Sequence, residues 1–263
     1  FATMKTVFLI LFLFNLLCFG CLSAHIGDFQ KLIVGGRLAK PNEFPYQVQL
    51  RKNDTHWCGG SILNDRWILT AAHCTFGILP ELLTIYYGSS NRKCGGRSVK
   101  VKDIFNHGMY HSRIYLFDIS LIKTEKPLIL DQNASAITLS AEPDVRPGLK
   151  VTVSGWGLLR EDADFFPEDL RVADIPVVTR DECKVAYHDE PEYKITEQMF
   201  CAGDLVRGNL DSCRGDSGGP AVLNGVQVGI VSWGNKCGDR KHPGVYTLVS
   251  FFLQWIKNIL RNN

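Results

Sequence analysis

No charge of either sign dominates the chain, whose 29 Lys and Arg stand against 27 Asp and Glu for a formal +2. Proteins that bind nucleic acid or lie on anionic membranes carry a basic excess, so neither partner fits. No internal repeat, low-complexity tract or linker divides the sequence. Beyond the first two dozen residues no apolar run reaches the roughly 20 residues that a bilayer requires. Closely spaced cysteine pairs of the zinc-site kind are also missing there, so no metal and no cofactor are expected. Hydrophobic residues make up 45% of the chain, enough for an ordinary globular core.

The N-terminus reads as a leader. Residues 1–3 precede Met4 as upstream translation or a cloning scar. Lys5 and the apolar run VFLILFLFNLL follow, and then small residues around GCLSA. A positive start, an apolar stretch of roughly 7–15 residues and a small-residue cleavage site define a secretory signal. Cleavage is expected between Gly20 and Ala24, so 1–24 is leader, 25–32 a pro-segment and 33–263 the working domain. The product is expected to be secreted, extracellular and monomeric. An oxidising compartment favours disulfides over metal thiolates. Of nine cysteines, Cys18 and Cys21 belong to the leader, and an odd seven remain. The sequons at Asn53 and Asn133 permit glycosylation.

Strand signals dominate the remainder. YQVQL at 46–50 alternates strictly, LKVTVSGWG and VQVGIVSWG are β-branched runs ending in glycine, and Asn224-Gly225 is a hairpin signal. Many short strands at close spacing predict an all-β barrel or sandwich. One helix is expected at the C-terminus, where Phe252, Trp255, Ile256 and Ile259 recur at helical spacing after a capping Ser250.

The chemistry gathers around DSCRGDSGGP at 211–220. A serine hydroxyl is a poor nucleophile until a base takes its proton and donors stabilise the oxyanion. Gly215 and Gly218 let the backbone turn sharply at Ser217, so the N–H groups of Gly215 and Ser217 can aim at one point. Among seven histidines, His73 in LTAAHC sits between small residues and a cysteine that can pin it. His107 and His111 have i, i+4 spacing, but Gly108 argues against a helix there. His56, His188 and His242 lie in polar, loop-like surroundings. Asp118 in YLFDISLIK is an acid embedded in apolar sequence, which needs a hydrogen-bonding partner: either the imidazole or a buried hydroxyl.

Together IVGG (33–36), TAAHC (70–74), DISLIK (118–123), SGWG (154–157), GDSGGP (215–220), SWG (232–234) and PGVYT (243–247) resemble the trypsin-like serine peptidases of the chymotrypsin fold. The likeness runs from Ile33 to the C-terminal helix. At finer grain it is similar to arthropod digestive trypsins, including mite trypsin allergens. The resemblance implies two six-stranded antiparallel β-barrels, roughly 33–130 and 147–248, with the active site between them and the helix closing the second. It implies Ser217 as nucleophile, His73 as general base and acid, Asp118 as orienting carboxylate, and Gly215 and Ser217 amides as oxyanion hole. It pairs Cys58 with Cys74, Cys183 with Cys201 and Cys213 with Cys237. Cys94 is left as a free thiol, an intermolecular link or a mate for Cys21. The family's calcium loop would fall near 86–98, where no carboxylate occurs, so no calcium is expected.

Substrate binding maps to Asp211, Ser232, Trp233, Gly234 and Gly244. Asp211 matches the carboxylate that pairs with a basic side chain, so the implied substrates are proteins or peptides with Arg or Lys at the cleaved position. Lys236 at the rim and Arg214 at the entrance depart from the pattern, and keep open a catalytically compromised decoy of the same fold. The acidic residues Glu161, Asp162, Asp164, Glu168 and Asp169 read as a solvated cluster. An activating protease is implied by the family's zymogen, in which the freed amine of Ile33 pairs with Asp216.

Overall fold

The computed structural model describes residues 35–142, 145–190 and 193–263. The leader, the pro-segment and Ile33 lie outside them. Fourteen strands form two sheets: β1 (Arg37–Leu38), β2 (Gln47–Lys52), β3 (Thr55–Ile62), β4 (Trp67–Thr70), β5 (Leu83–Tyr87), β6 (Arg97–Asn106), β7 (Ser120–Thr124), β8 (Thr138–Leu139), β9 (Lys150–Gly155), β10 (Arg171–Pro176), β11 (Met199–Ala202), β12 (Pro220–Leu223), β13 (Val226–Trp233) and β14 (Gly244–Leu248). Helix α1 (Arg180–Ala186) precedes β11, and α2 (Leu253–Asn262) ends the chain. No helix among the described residues is long and apolar enough to cross a membrane.

The first sheet closes as a six-stranded barrel in the order β2-β3-β4-β7-β6-β5. Val48, Leu50, Ile68, Leu69, Ile85 and Leu121 fill it. The alternation of YQVQL predicts one wet face, yet Gln47 and Gln49 are buried as well. The amide oxygens of both find donors: Gln47 Oε1 accepts from Ser154 Oγ at 2.8 Å and Gln49 Oε1 from the Arg51 guanidinium. Ser61 donates to Gln227 at 2.6 Å. Ser154 and Gln227 belong to the second sheet, so these bonds fasten the two halves together.

The second sheet departs from a simple ring. It has eight strands in the order β1-β10-β9-β12-β13-β14-β11, with β8 paired in parallel to β13. The ends of its central six approach without a full ladder: a lone bridge joins Val177 to Ala202. The β12–β13 turn has φ of 50° at Asn224 and 79° at Gly225, the signature of a type I′ hairpin.

The C-terminal helix forms as predicted, but its cap and its seat differ. Ser250 sits inside a 3-10 turn (Val249–Phe252) that leads into α2, and Phe252 occupies the cap position without a side-chain bond. Phe252 and Ile256 join the core of the first barrel rather than closing the second. His107 is drawn into the same contact, stacked on Phe117 at 4.8 Å and touching Trp255.

Candidate functional site

His73 rides on a 3-10 turn (Ala72–Cys74) that continues β4. The Cys58–Cys74 disulfide pins that turn to β3, and buried Ala71 and Ala72 leave room beside the ring. Asp118 lies two residues before β7 and is 1% exposed. Its carboxylate takes both the His73 backbone N–H and the ring nitrogen Nδ1 at 2.8 Å, together with the Ser232 hydroxyl at 2.5 Å. Such a set of donors offsets the cost of burying an ionised acid. With Nδ1–H given to Asp118, Nε2 keeps the lone pair.

Ser217 lines the same cleft as His73, at the mouth of the loop before β12. Its carbonyl accepts from Gly59 N–H at 2.8 Å and Gly218 N–H donates to Val231 at 2.8 Å, so both sheets hold the loop. At Gly218 φ is +78°, and a Cβ there would lie 2.1 Å from Thr70 Oγ1. Only glycine fits. Among the described residues no protein acceptor takes the N–H of Gly215 or of Ser217. Asp216 is fully buried and accepts from Gly157 N–H at 2.7 Å and Cys213 N–H at 3.0 Å. Burial outweighs those bonds and pushes its carboxyl up to about 6.

Behind Ser217 the cleft, about 300 Å³, narrows to a slot walled by Ser232, Trp233, Gly234 and Gly244. Asp211 ends it, 3% exposed. One carboxylate oxygen accepts Gly238 N–H at 3.1 Å, while the other, Oδ1, is buried without a partner. A Cβ at Gly244 would come within 2.5 Å of that oxygen, so the absence of a side chain keeps the slot open to its floor. Desolvation pushes Asp211 up to about 8, against the opposing hydrogen bond from Gly238 N–H.

Some participants were invisible to sequence reasoning. His56, expected in a polar loop, is 6% exposed within β3 and bonds the Gly215 carbonyl through Nε2 at 3.0 Å. Tyr115 packs edge-on to His73 at 5.7 Å and against Trp233, which also stacks on Tyr193 at 4.8 Å. Glu161, Asp162, Asp164 and Glu168 of the acidic cluster are exposed, as expected, but their loop is tied down. Lys93 pairs with Glu168, Asn91 donates to Asp169 at 2.9 Å, and Arg92 donates to the carbonyls of Phe166 and Pro167. The basic 91–93 stretch thus holds an acidic loop where the resemblance would put calcium.

Disulfides also join Cys183 to Cys201 and Cys213 to Cys237. Cys94 is disulfide-bonded as well, which removes the free-thiol alternative. Two clusters among the described residues have metal-like spacing: Cys58, His73 and Cys74, and Glu161, Cys213 and Cys237. In both the sulfurs are tied up as disulfides and cannot serve as thiolate ligands.

Comparison with known proteins agrees with this arrangement. The family model described as Trypsin matches residues 33–256. Trypsin Blo t 3 of Blomia tropicalis is 43% identical over 227 residues, 86% of this chain and 85% of that protein. Trypsin Tyr p 3.0101 of Tyrophagus putrescentiae is 43% identical over 229 residues, covering 86% and 79%. Serine protease 1 of Homo sapiens is 36% identical over 245 residues, covering 92% and 94%. The chain belongs to the trypsin family and is a trypsin-like serine endopeptidase, similar to mite trypsins.

Proposed function

We propose that this endopeptidase is secreted as a precursor and, once activated, cleaves peptide bonds on the carboxyl side of Arg or Lys. The observation that carries the specificity is Asp211: a buried carboxylate, one oxygen unpartnered, at the end of a slot walled by glycines. A buried acid without a counter-charge is costly, and a substrate cation relieves that cost while an apolar side chain leaves it standing.

In this reading Ser217 Oγ attacks the scissile carbonyl carbon as His73 Nε2 takes its proton. Asp118 holds the ring in the tautomer that makes this possible and stabilises the imidazolium. The carbonyl oxygen, now negative, is met by the N–H groups of Gly215 and Ser217. Collapse breaks the C–N bond, His73 returns the proton to the leaving amine, and an acyl-Ser217 ester remains. Water then repeats the sequence and releases the acid. Secretion is supported by Lys5 and the apolar run that follows it.

Matched Arg, Lys and Phe amide substrates test the specificity. The activated protein is expected to prefer Arg and Lys by at least two orders of magnitude in kcat/KM. Equal or better cleavage of the Phe substrate would overturn this reading.

A further inference from the structure

The cleft carries a second acid besides Asp211. Glu161, in the loop after β9, lines it together with Arg214, Lys236 and Cys237. That loop is stitched to both sides of the opening. Leu158 N–H donates to the Arg214 carbonyl at 2.8 Å, and the Arg214 guanidinium donates to the Glu161 carbonyl at 2.5 Å. From the other side Cys237 N–H donates to the Glu161 carboxylate at 3.0 Å. The Cys213–Cys237 disulfide joins the two sides, with both sulfurs within 4.8 Å of that carboxylate.

Charge gives this strap a consequence. Arg214 and Lys236, two like charges, line the cleft that a cationic side chain bound for Asp211 would enter. Arg214 is turned onto the strap, and Glu161 adds an opposing charge at the same rim. Unit charges a few ångströms apart near a protein surface interact strongly enough to change binding severalfold. We propose that Glu161 is a specificity-determining residue of this pocket, an acidic lip that offsets Arg214 and Lys236 and favours entry of cationic side chains. The proposal rests on reading the Asp211 slot as an Arg/Lys pocket.

The test uses single-residue Arg and Phe amide substrates, so that only the pocket is probed, with wild type and Glu161→Gln. Glutamine keeps an acceptor for Cys237 N–H and removes only the charge. The Arg-to-Phe ratio of kcat/KM is expected to fall about fivefold. KM should carry most of the fall, which should shrink at high salt. Adding Arg214→Gln to Glu161→Gln should restore the ratio. Should Glu161→Gln fold poorly, Lys236→Gln in the otherwise unchanged chain must raise the ratio. A structural clamp alone would scale both substrates together, so an unchanged ratio in these variants overturns the proposal. Absence of any Arg preference in the wild type would instead overturn the reading of Asp211, independently of Glu161.

Discussion

The imidazole of His56 holds the peptide of Gly215: Nε2 lies 3.0 Å from the Gly215 carbonyl oxygen, and the ring is wedged edge-on against Phe166 at 4.8 Å. Gly215 has φ of +97°, and a Cβ there would lie 2.6 Å from the Phe166 ring. The bond requires a proton on Nε2, which both the imidazolium and the neutral Nε2–H tautomer carry; in the folded protein the ring is the neutral one. Burial holds it so, lowering its pKa to about 4 against the pull of the Gly215 carbonyl, with Arg92 and Arg51 adding to the drop.

His56→Phe would keep the packing and remove the bond, loosening one of the two amides proposed to meet the oxyanion. A net hydrogen bond is worth about 1 kcal/mol, so kcat should fall by about fivefold to tenfold with KM little changed. A kcat within twofold of wild type would show that Gly215 needs no such tether.

The same histidine makes the fold acid-sensitive. The unfolded state binds a proton near the ordinary value of 6.5 and the folded state only near 4. The unfolded state therefore holds more protons between those pH values, and stability falls as pH drops through that window. The loss from this group is about 3 kcal/mol. Denaturant midpoints at pH 7 and pH 4 check it: His56→Phe should lose less stability across the window than wild type.

With Ser217 as the proposed nucleophile and His73 as the proposed base, the loss on removing either should be nearly total and non-additive. Ser217→Ala, His73→Ala and the double variant should each lose about 10⁶ in kcat, because the two residues act as one unit. Asp118→Asn would keep the shape but offer an N–H where the ring needs an acceptor. The loss already measured for that substitution in serine-peptidase triads, about 10⁴ in kcat, is the expected size. Ser217→Ala within tenfold of wild type would sink the assignment.

Asp211 predicts proton-linked binding. With the slot empty its pKa is about 8, because burial disfavours the carboxylate. A cationic inhibitor favours the ionised form and pulls that pKa down. Below about pH 8 binding must therefore release a proton, and affinity must strengthen as pH rises toward 8. Calorimetry in buffers of different ionisation enthalpy reads this directly. Asp211→Ser should abolish the proton release and most of the affinity; unchanged release in that variant would count against the assignment.

Activation should depend on register. Asp216 is buried, and among the described residues its carboxylate meets only N–H groups. A new ammonium at Ile33 would ionise and hold it. The precursor reads QKLIVGG, so a cut after Lys31 leaves Leu32 as the terminus. One extra residue displaces the ammonium, and an unmade buried ion pair costs roughly 3–5 kcal/mol. Trypsin treatment alone should give little activity until Leu32 is removed. Full activity with Leu32 still in place, read by N-terminal sequencing, would contradict the register argument.

Local patterns determined much of this protein. The glycines around Ser217, the acid inside an apolar run at Asp118 and the Asn224-Gly225 turn are short-range signals, because each reports what one stretch of backbone must do. The same holds for strand content and for the C-terminal helix. Tertiary structure decided the rest. Gln47 is buried where Ser154 of the second sheet meets it, and α2 seats on the first barrel, although neither neighbour is written near those residues in the chain. His56 looked like a loop histidine because its partner lies 159 residues away, at Gly215. Glu161 is exposed, as it reads, but the amide that holds its carboxylate belongs to Cys237, 76 residues away. A hydrogen bond between distant segments leaves no periodicity for a sequence to display, and burial of a polar side chain becomes legible only when the element covering it is in place.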